Sequence, residues 1–205
     1  MIRILAALAL AVTLSACGGP AEEVGAPPEA VARAAYVHGG PPTLTLLTVI
    51  SNRSGAGGHT GLMVNGSQRV MFDPAGNFNI SRAMTERGDV LYGMDDRYYR
   101  AYVNFHTRET WRTVEQTVVV SPEVAEMALR LVRTNGAVPK AQCALSTGAL
   151  LSQLPGFEGI RAGYFPRSLM EQFGEVPGVV ERVYYDDDDD DNSALQARPL
   201  TPADV

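Results

Sequence analysis

Apolar and polar positions fall into blocks of different period along the chain. Residues 43–50 (Thr-Leu-Thr-Leu-Leu-Thr-Val-Ile) are β-branched and partly alternating, which predicts a strand. A Ser/Gly-rich loop follows at 51–58. Residues 59–64 and 68–73 then alternate around a turn at 65–67, as in a β-hairpin. A three-residue loop there pairs Val64 with Gln68, Leu62 with Val70 and His59 with Asp73. One face then carries Leu62, Val64, Val70 and Phe72, and the other carries His59 and Asp73. A two-residue turn would separate His59 from Asp73 across the sheet. Residues 81–86 predict a short helical turn, and 89–93 a short strand. Residues 98–105 and 113–120 alternate well enough for two more strands.

Ser121-Pro122-Glu123 is a helix start, with Ser as cap and Pro in the first turn. Val124, Met127, Ala128, Leu131 and Val132 form an apolar stripe, and Gly136 closes the helix. A second helix opens at Cys143 and stops at Pro155-Gly156. A third opens at Phe165-Pro166, turns Leu169, Met170 and Phe173 inward, and ends at Gly174. Residues 179–185 suit a last strand. The order of elements gives an α+β fold, an antiparallel sheet with helices packed on one side. It is large enough to bury a core without disulfides.

Composition adds the setting. The 205 residues are 45% hydrophobic and 20% charged, with a net charge of -6 owed largely to Asp186–Asp191. No basic patch of phosphate-binding size is present, which argues against nucleic acid. Six adjacent aspartates repel one another, so 186–205 is expected to be an acidic disordered tail; a weak calcium site lacks the glycine turn and spaced ligands. At the other end, Met1-Ile2-Arg3 and an apolar core at 4–14 form an export signal too short to span a bilayer. Leu14-Ser15-Ala16-Cys17 resembles the bacterial lipoprotein box. That implies a signal peptide at 1–16, diacylglycerol on the Cys17 sulfur and, with Gly18 next, the periplasmic side of the outer membrane. The plainer alternative is an ordinary cleaved signal with a chance cysteine. Residues 17–42 are expected to be a flexible tether, with His38 exposed and without role, and 43–185 the folded domain.

The chain has two cysteines. With Cys17 consumed by lipid, Cys143 has no partner in an oxidising compartment, which makes it a candidate nucleophile; the alternative is an inert buried thiol. A cysteine opening a helix faces unpaired N–H groups and the positive dipole end, and both favour thiolate. The thiol needs a base, and His59 and His106 are the histidines of the domain. Asp73 or His106 is available to orient the base. Two histidines and a cysteine without close spacing make a poor metal site, and no cofactor is expected.

Gly58-His59-Thr60-Gly61-Leu62 on a strand, with Gln142-Cys143 opening a later helix, resembles the circularly permuted branch of the NlpC-type papain-like superfamily. Within it the likeness is to periplasmic lipoprotein domains related to a lipoprotein N-acyl-transfer enzyme and to lecithin:retinol acyltransferases. It covers roughly residues 44–173. The resemblance implies Cys143 as nucleophile, His59 as base and Asp73 as third polar residue. Gln142 stands where relatives often have Asn, and the Cys143 N–H is placed for an oxyanion hole; Ser146 is an ordinary helix residue. The expected function is a lipid-anchored thiol hydrolase or acyltransferase. Its substrates would be peptidoglycan peptides, lipoprotein acyl chains or phospholipid esters. The alternative is a non-catalytic envelope lipoprotein that uses the same fold for binding or structure.

Overall fold

The Thr-Leu block becomes β1 (Thr43–Ser51), and the histidine block becomes β2 (Gly57–Asn65), the middle strand of the sheet. The structure is a computed structural model that describes residues 25–78 and 84–197. The expected signal peptide, Cys17 and residues 198–205 lie outside the described residues, as does the first half, 81–83, of the helical turn expected at 81–86. After β2 come β3 (Arg69–Phe72), β4 (Thr85–Arg87), β5 (Val90–Tyr92), β6 (Trp111–Val119) and β7 (Val180–Tyr184). They form one sheet in the order β4-β5-β3-β2-β1-β6-β7, antiparallel throughout. The helices are α1 (Pro28–Arg33), α2 (Asp96–His106), α3 (Pro122–Asn135), α4 (Cys143–Leu151), α5 (Pro166–Gly174) and α6 (Ser193–Ala197). The architecture is therefore mixed α+β.

Both faces of the sheet are covered, not one. Leu44, Leu46, Leu62, Val64, Val70 and Phe72 meet Leu129, Val132, Leu150, Leu151, Leu169 and Phe173 of α3, α4 and α5. The opposite face buries Leu47, Met63, Met71 and Leu91 under Ala101, Tyr102 and Phe105 of α2. This is why β1 is buried along almost its whole length. The expected stripe of α3 faces the core: Ala128 and Val132 are buried with Ala125 and Leu129, and Val124, Met127 and Leu131 pack partly buried beside them.

The difference lies in residues 98–105, which form the body of α2 and not a strand. Their aromatic and β-branched content suits a strand, but the Asp95 side chain accepts a hydrogen bond from the Tyr98 N–H at 2.8 Å and caps a helix. Burial at Tyr98, Ala101, Tyr102 and Phe105 then follows helical spacing. Near β4, Thr85 and Glu86 pair with Tyr92 and Leu91, so this part of the expected helical turn is a strand.

The hairpin loop is Gly66–Gln68, one residue later than expected, so β2 and β3 pair Leu62 with Phe72 and Val64 with Val70. Each pairing slides by two residues. A slide of two preserves parity, and His59 and Asp73 stay on one face as diagonal neighbours rather than direct partners.

The segments expected to be loose at either end are packed onto the domain. In the tether region α1 buries Val31, and Gly25 bridges to Arg87. His38 is not without contacts, since its Nδ1 accepts from the Arg69 guanidinium at 2.8 Å. The acidic run departs from the solvated tail of repelling charges in the same way. Asp188 pairs with Arg108 at 3.1 Å, and Asp190 accepts from the Thr110 hydroxyl at 2.6 Å.

The Asp95 cap is the local feature that makes α2 a helix. Asp95→Ala is expected to lower stability by about 1 kcal/mol, read as a lower urea midpoint with unchanged slope. An unchanged midpoint would contradict this origin of α2.

Candidate active site

The site lies at the end of the sheet where β2 begins. The two glycines ahead of His59 are there because neighbours press on the strand from both sides. A Cβ on Gly57 would lie 2.6 Å from the Arg167 backbone nitrogen at the start of α5, and one on Gly58 would lie 2.7 Å from the Trp111 ring. Next on the same strand, the Thr60 hydroxyl donates to the Leu47 carbonyl at 3.2 Å and ties β2 to β1.

The His59 side chain is 17% exposed and the Asp73 side chain 4%; their Nε2 and Oδ1 atoms are 2.7 Å apart. The Tyr102 hydroxyl donates to the same Oδ1 at 2.6 Å. Gly61 makes this possible, because any Cβ there would collide with the Tyr102 hydroxyl. On the loop after β3, a Cβ on Gly76 would collide with the Asp73 carboxylate itself. Two glycines thus clear the volume in which one buried carboxylate meets its two donors.

His106, the last residue of α2, stacks on His59 with centroids 5.5 Å apart and planes at 14°. Its Nδ1–H donates to the Tyr102 carbonyl at 2.9 Å, which assigns Nε2 as the nitrogen with the lone pair. The helix spacing i, i+4 brings Tyr102 and His106 to the same place.

Cys143 is the first residue of α4 and 6% exposed; it is a free thiol. The chain turns into the helix through Ala141, held at a left-handed φ of 63°, and Gln142 at φ -112° and ψ 15°. The Gln142 side chain makes no capping bond, so the first N–H groups of α4 stay clear of it. The Ser146 hydroxyl donates to Asn135 Oδ1 at 3.2 Å, turned to α3 rather than the thiol.

The protonation states follow from this packing. Burial opposes charge on Cys143, but hydrogen bonding and charge from His59, with backbone groups of Thr60 and Ala144, hold the thiol below its ordinary value. For His59, burial again opposes the charged form. The Asp73 carboxylate, helped by Cys143, overcomes it and lifts the imidazole from 6.5 to about 10. Burial would raise Asp73, yet His59, His106 and Tyr102 bring it from 3.8 down to about 2. Burial takes His106 from 6.5 to about 4. The pairing holds Cys143 toward thiolate beside an imidazolium His59 and an ionised Asp73, with His106 uncharged next to them.

Of the five site residues expected from the sequence, Cys143, His59, Asp73 and His106 come together; the Gln142 side chain, like Ser146, stands outside the set. Tyr102 and the two spacing glycines, Gly61 and Gly76, are additional. The capping Asp95 is the sequence signal that would have placed Tyr102 and His106 on one helical face. Ligand atoms of His59, Asp73 and His106 lie within 4.8 Å of one another, closer than their sequence spacing suggested. His59 and Asp73 share a hydrogen bond there, so a metal would have to displace the proton between them. Compared with known proteins, the chain matches no family model, no curated protein and no solved structure.

Tyr102→Phe leaves the buried carboxylate one donor short and is expected to cost about 1–3 kcal/mol in chemical denaturation. A second expectation comes from linkage. His59 has a folded value above its ordinary 6.5, so its stabilisation is fully present below 6.5 and fades as pH rises through about 10. Asp73, depressed to about 2, contributes above 3.8 and loses its share as pH falls through about 2. The thermal midpoint of the wild type should therefore fall more steeply between pH 6.5 and 10 than that of His59→Gln. Parallel curves would contradict the His59–Asp73 pairing.

Proposed function

We propose that the protein is a thiol enzyme of acyl transfer, with Cys143 as nucleophile and His59 as its proton partner. The observation that carries this reading is the linked set Cys143, His59, Asp73 and Tyr102. In it a thiol at a helix start is held toward thiolate by an imidazole, which is fixed by a buried, doubly bonded carboxylate. Structural pairs rarely bring a nucleophile, a base and an orienting group together in this order.

In the proposed cycle the Cys143 thiolate attacks the carbonyl carbon of an amide or ester. The developing oxyanion receives N–H donors from the start of α4. The His59 imidazolium gives its proton to the leaving group as the tetrahedral adduct collapses to a thioester. Water or an amine then resolves the thioester and regenerates the thiolate. Asp73 keeps the ring aligned and stabilises its charge, and Tyr102 keeps Asp73 aligned.

The wider reading joins this site to the sequence. The glycine-flanked histidine strand ahead of the cysteine helix supports a permuted papain-like fold. The lipoprotein box supports anchoring through lipidated Cys17 on the periplasmic face of an outer membrane. Candidate substrates in that location are wall peptides, lipoproteins and phospholipids.

At pH 6, Cys143 should react with iodoacetamide at least about tenfold faster than a free thiol, and His59→Ala should abolish the advantage. Cys143→Ser should lower turnover of an activated ester by roughly 10³-fold or more. Alkylation at ordinary thiol rates in both proteins would remove the basis of the proposal.

A further inference from the structure

A cleft of about 400 Å³ opens on the α2 side of the site, lined by Gly58, His106, Arg108, Trp111, Asp190 and Asn192 among others. Its size suits a small molecule rather than a long chain. It touches the strand residue next to His59, and it contains the histidine that the cycle above leaves unused. His106 has given Nδ1 to the Tyr102 carbonyl, and its Nε2 has no protein partner among the described residues. Stacking at 5.5 Å on His59 places that ring next to the group that serves the thiol.

One wall of the cleft comes from the acidic run, and the wall is built rather than draped. The Glu109 N–H donates to the Asp188 carbonyl at 2.9 Å, and the Thr110 hydroxyl to Asp190 at 2.6 Å. Asn192 Nδ2 donates to the Phe105 carbonyl at 3.1 Å. Arg108 is the cation in the lining, and it is already bonded to Asp188 at 3.1 Å and Asn104 at 3.2 Å. Asp190 and the neighbouring carboxylates are left to set a negative field at the mouth. Such a field concentrates cations and turns away anions.

We infer that this cleft is the acceptor site of the acyl transfer, that it takes a primary amine carried on a small cationic molecule, and that His106 Nε2 accepts the proton the amine loses. The inference rests on the acyl-transfer reading. The amine nitrogen attacks the carbonyl carbon of the Cys143 thioester and forms a C–N bond. The adduct carries an ammonium proton, which passes to His106 Nε2. His59, which gave its proton to the first leaving group, takes one back from solvent; the C–S bond then breaks, an amide leaves, and the sulfur departs as thiolate beside the restored imidazolium. His106 returns its proton to solvent. The ammonium of a tetrahedral adduct is more acidic than that of a free amine, which eases its transfer to an uncharged imidazole. Burial keeps His106 uncharged and ready for this step.

The test uses p-nitrophenyl butyrate as acyl donor and 1,4-diaminobutane as acceptor. Release of p-nitrophenol reports acyl-enzyme formation, and the ratio of amide to free acid reports its fate. That ratio does not depend on how much acyl-enzyme forms. The wild type should show a ratio that saturates with diamine. His106→Gln should lower the limiting ratio at least tenfold. Asp190→Asn should raise the half-saturating diamine concentration several-fold while moving the limiting ratio little. Ethanol, an uncharged acceptor, should not saturate. A p-nitrophenol burst with a diamine ratio that is linear and the same in all three proteins overturns the acceptor site alone. Absence of any Cys143-dependent burst overturns the acyl-transfer reading, and the acceptor site with it.

Discussion

A single buried carboxylate organises the candidate site. Asp73 is nearly inaccessible to water, and an unpaired charge in that position would be costly. It is tolerated because two donors, the His59 ring and the Tyr102 hydroxyl, converge on one oxygen. Each donor comes from a different layer, the imidazole from the middle of the sheet and the phenol from α2. The carboxylate therefore binds helix to strand and fixes the direction of the ring that faces the thiol. Neither bond could form with side chains at Gly61 or Gly76. The glycine after His59-Thr60 is required by a hydroxyl it never bonds.

The electrostatics run outward from that carboxylate. Burial disfavours every charge in the site. The carboxylate wins against it at His59, and His59 in turn wins against it at Cys143. His106 lies close by but makes no hydrogen bond to the carboxylate, and there burial prevails. Two stacked imidazoles thus occupy opposite protonation states because one is a diagonal cross-strand neighbour of Asp73 and the other has committed its N–H to a carbonyl. Such a division suits a site that needs one proton donor and one proton acceptor at the same pH.

Much of this was readable from residue order, for reasons that can be named. Strand alternation, the Ser121 cap and the proline starts located most elements, since each is a local signal. The turn between β2 and β3 was misplaced by one residue, yet His59 and Asp73 still met, because moving a three-residue loop by one shifts pairings by two and keeps parity. Residues 98–105 were misread because aromatic and β-branched residues suit a strand while Asp95, just outside them, decides for a helix. With that helix went Tyr102 and the covering of the second face. The acidic run was misjudged for a different cause. Its own repulsion is visible in sequence, whereas Arg108 and Thr110, its partners, lie about 80 positions away.

The measurement closest to the centre of the account is the thiolate absorbance of Cys143 near 240 nm as a function of pH, compared between the wild type, Cys143→Ser and Asp73→Asn. If the carboxylate holds the ring and the ring holds the sulfur, a thiolate band missing from Cys143→Ser persists in the wild type at pH 7. In Asp73→Asn the same band retreats toward the range of an ordinary thiol. A wild-type band that appears only above about pH 8.5, at the same place in Asp73→Asn, would contradict the account.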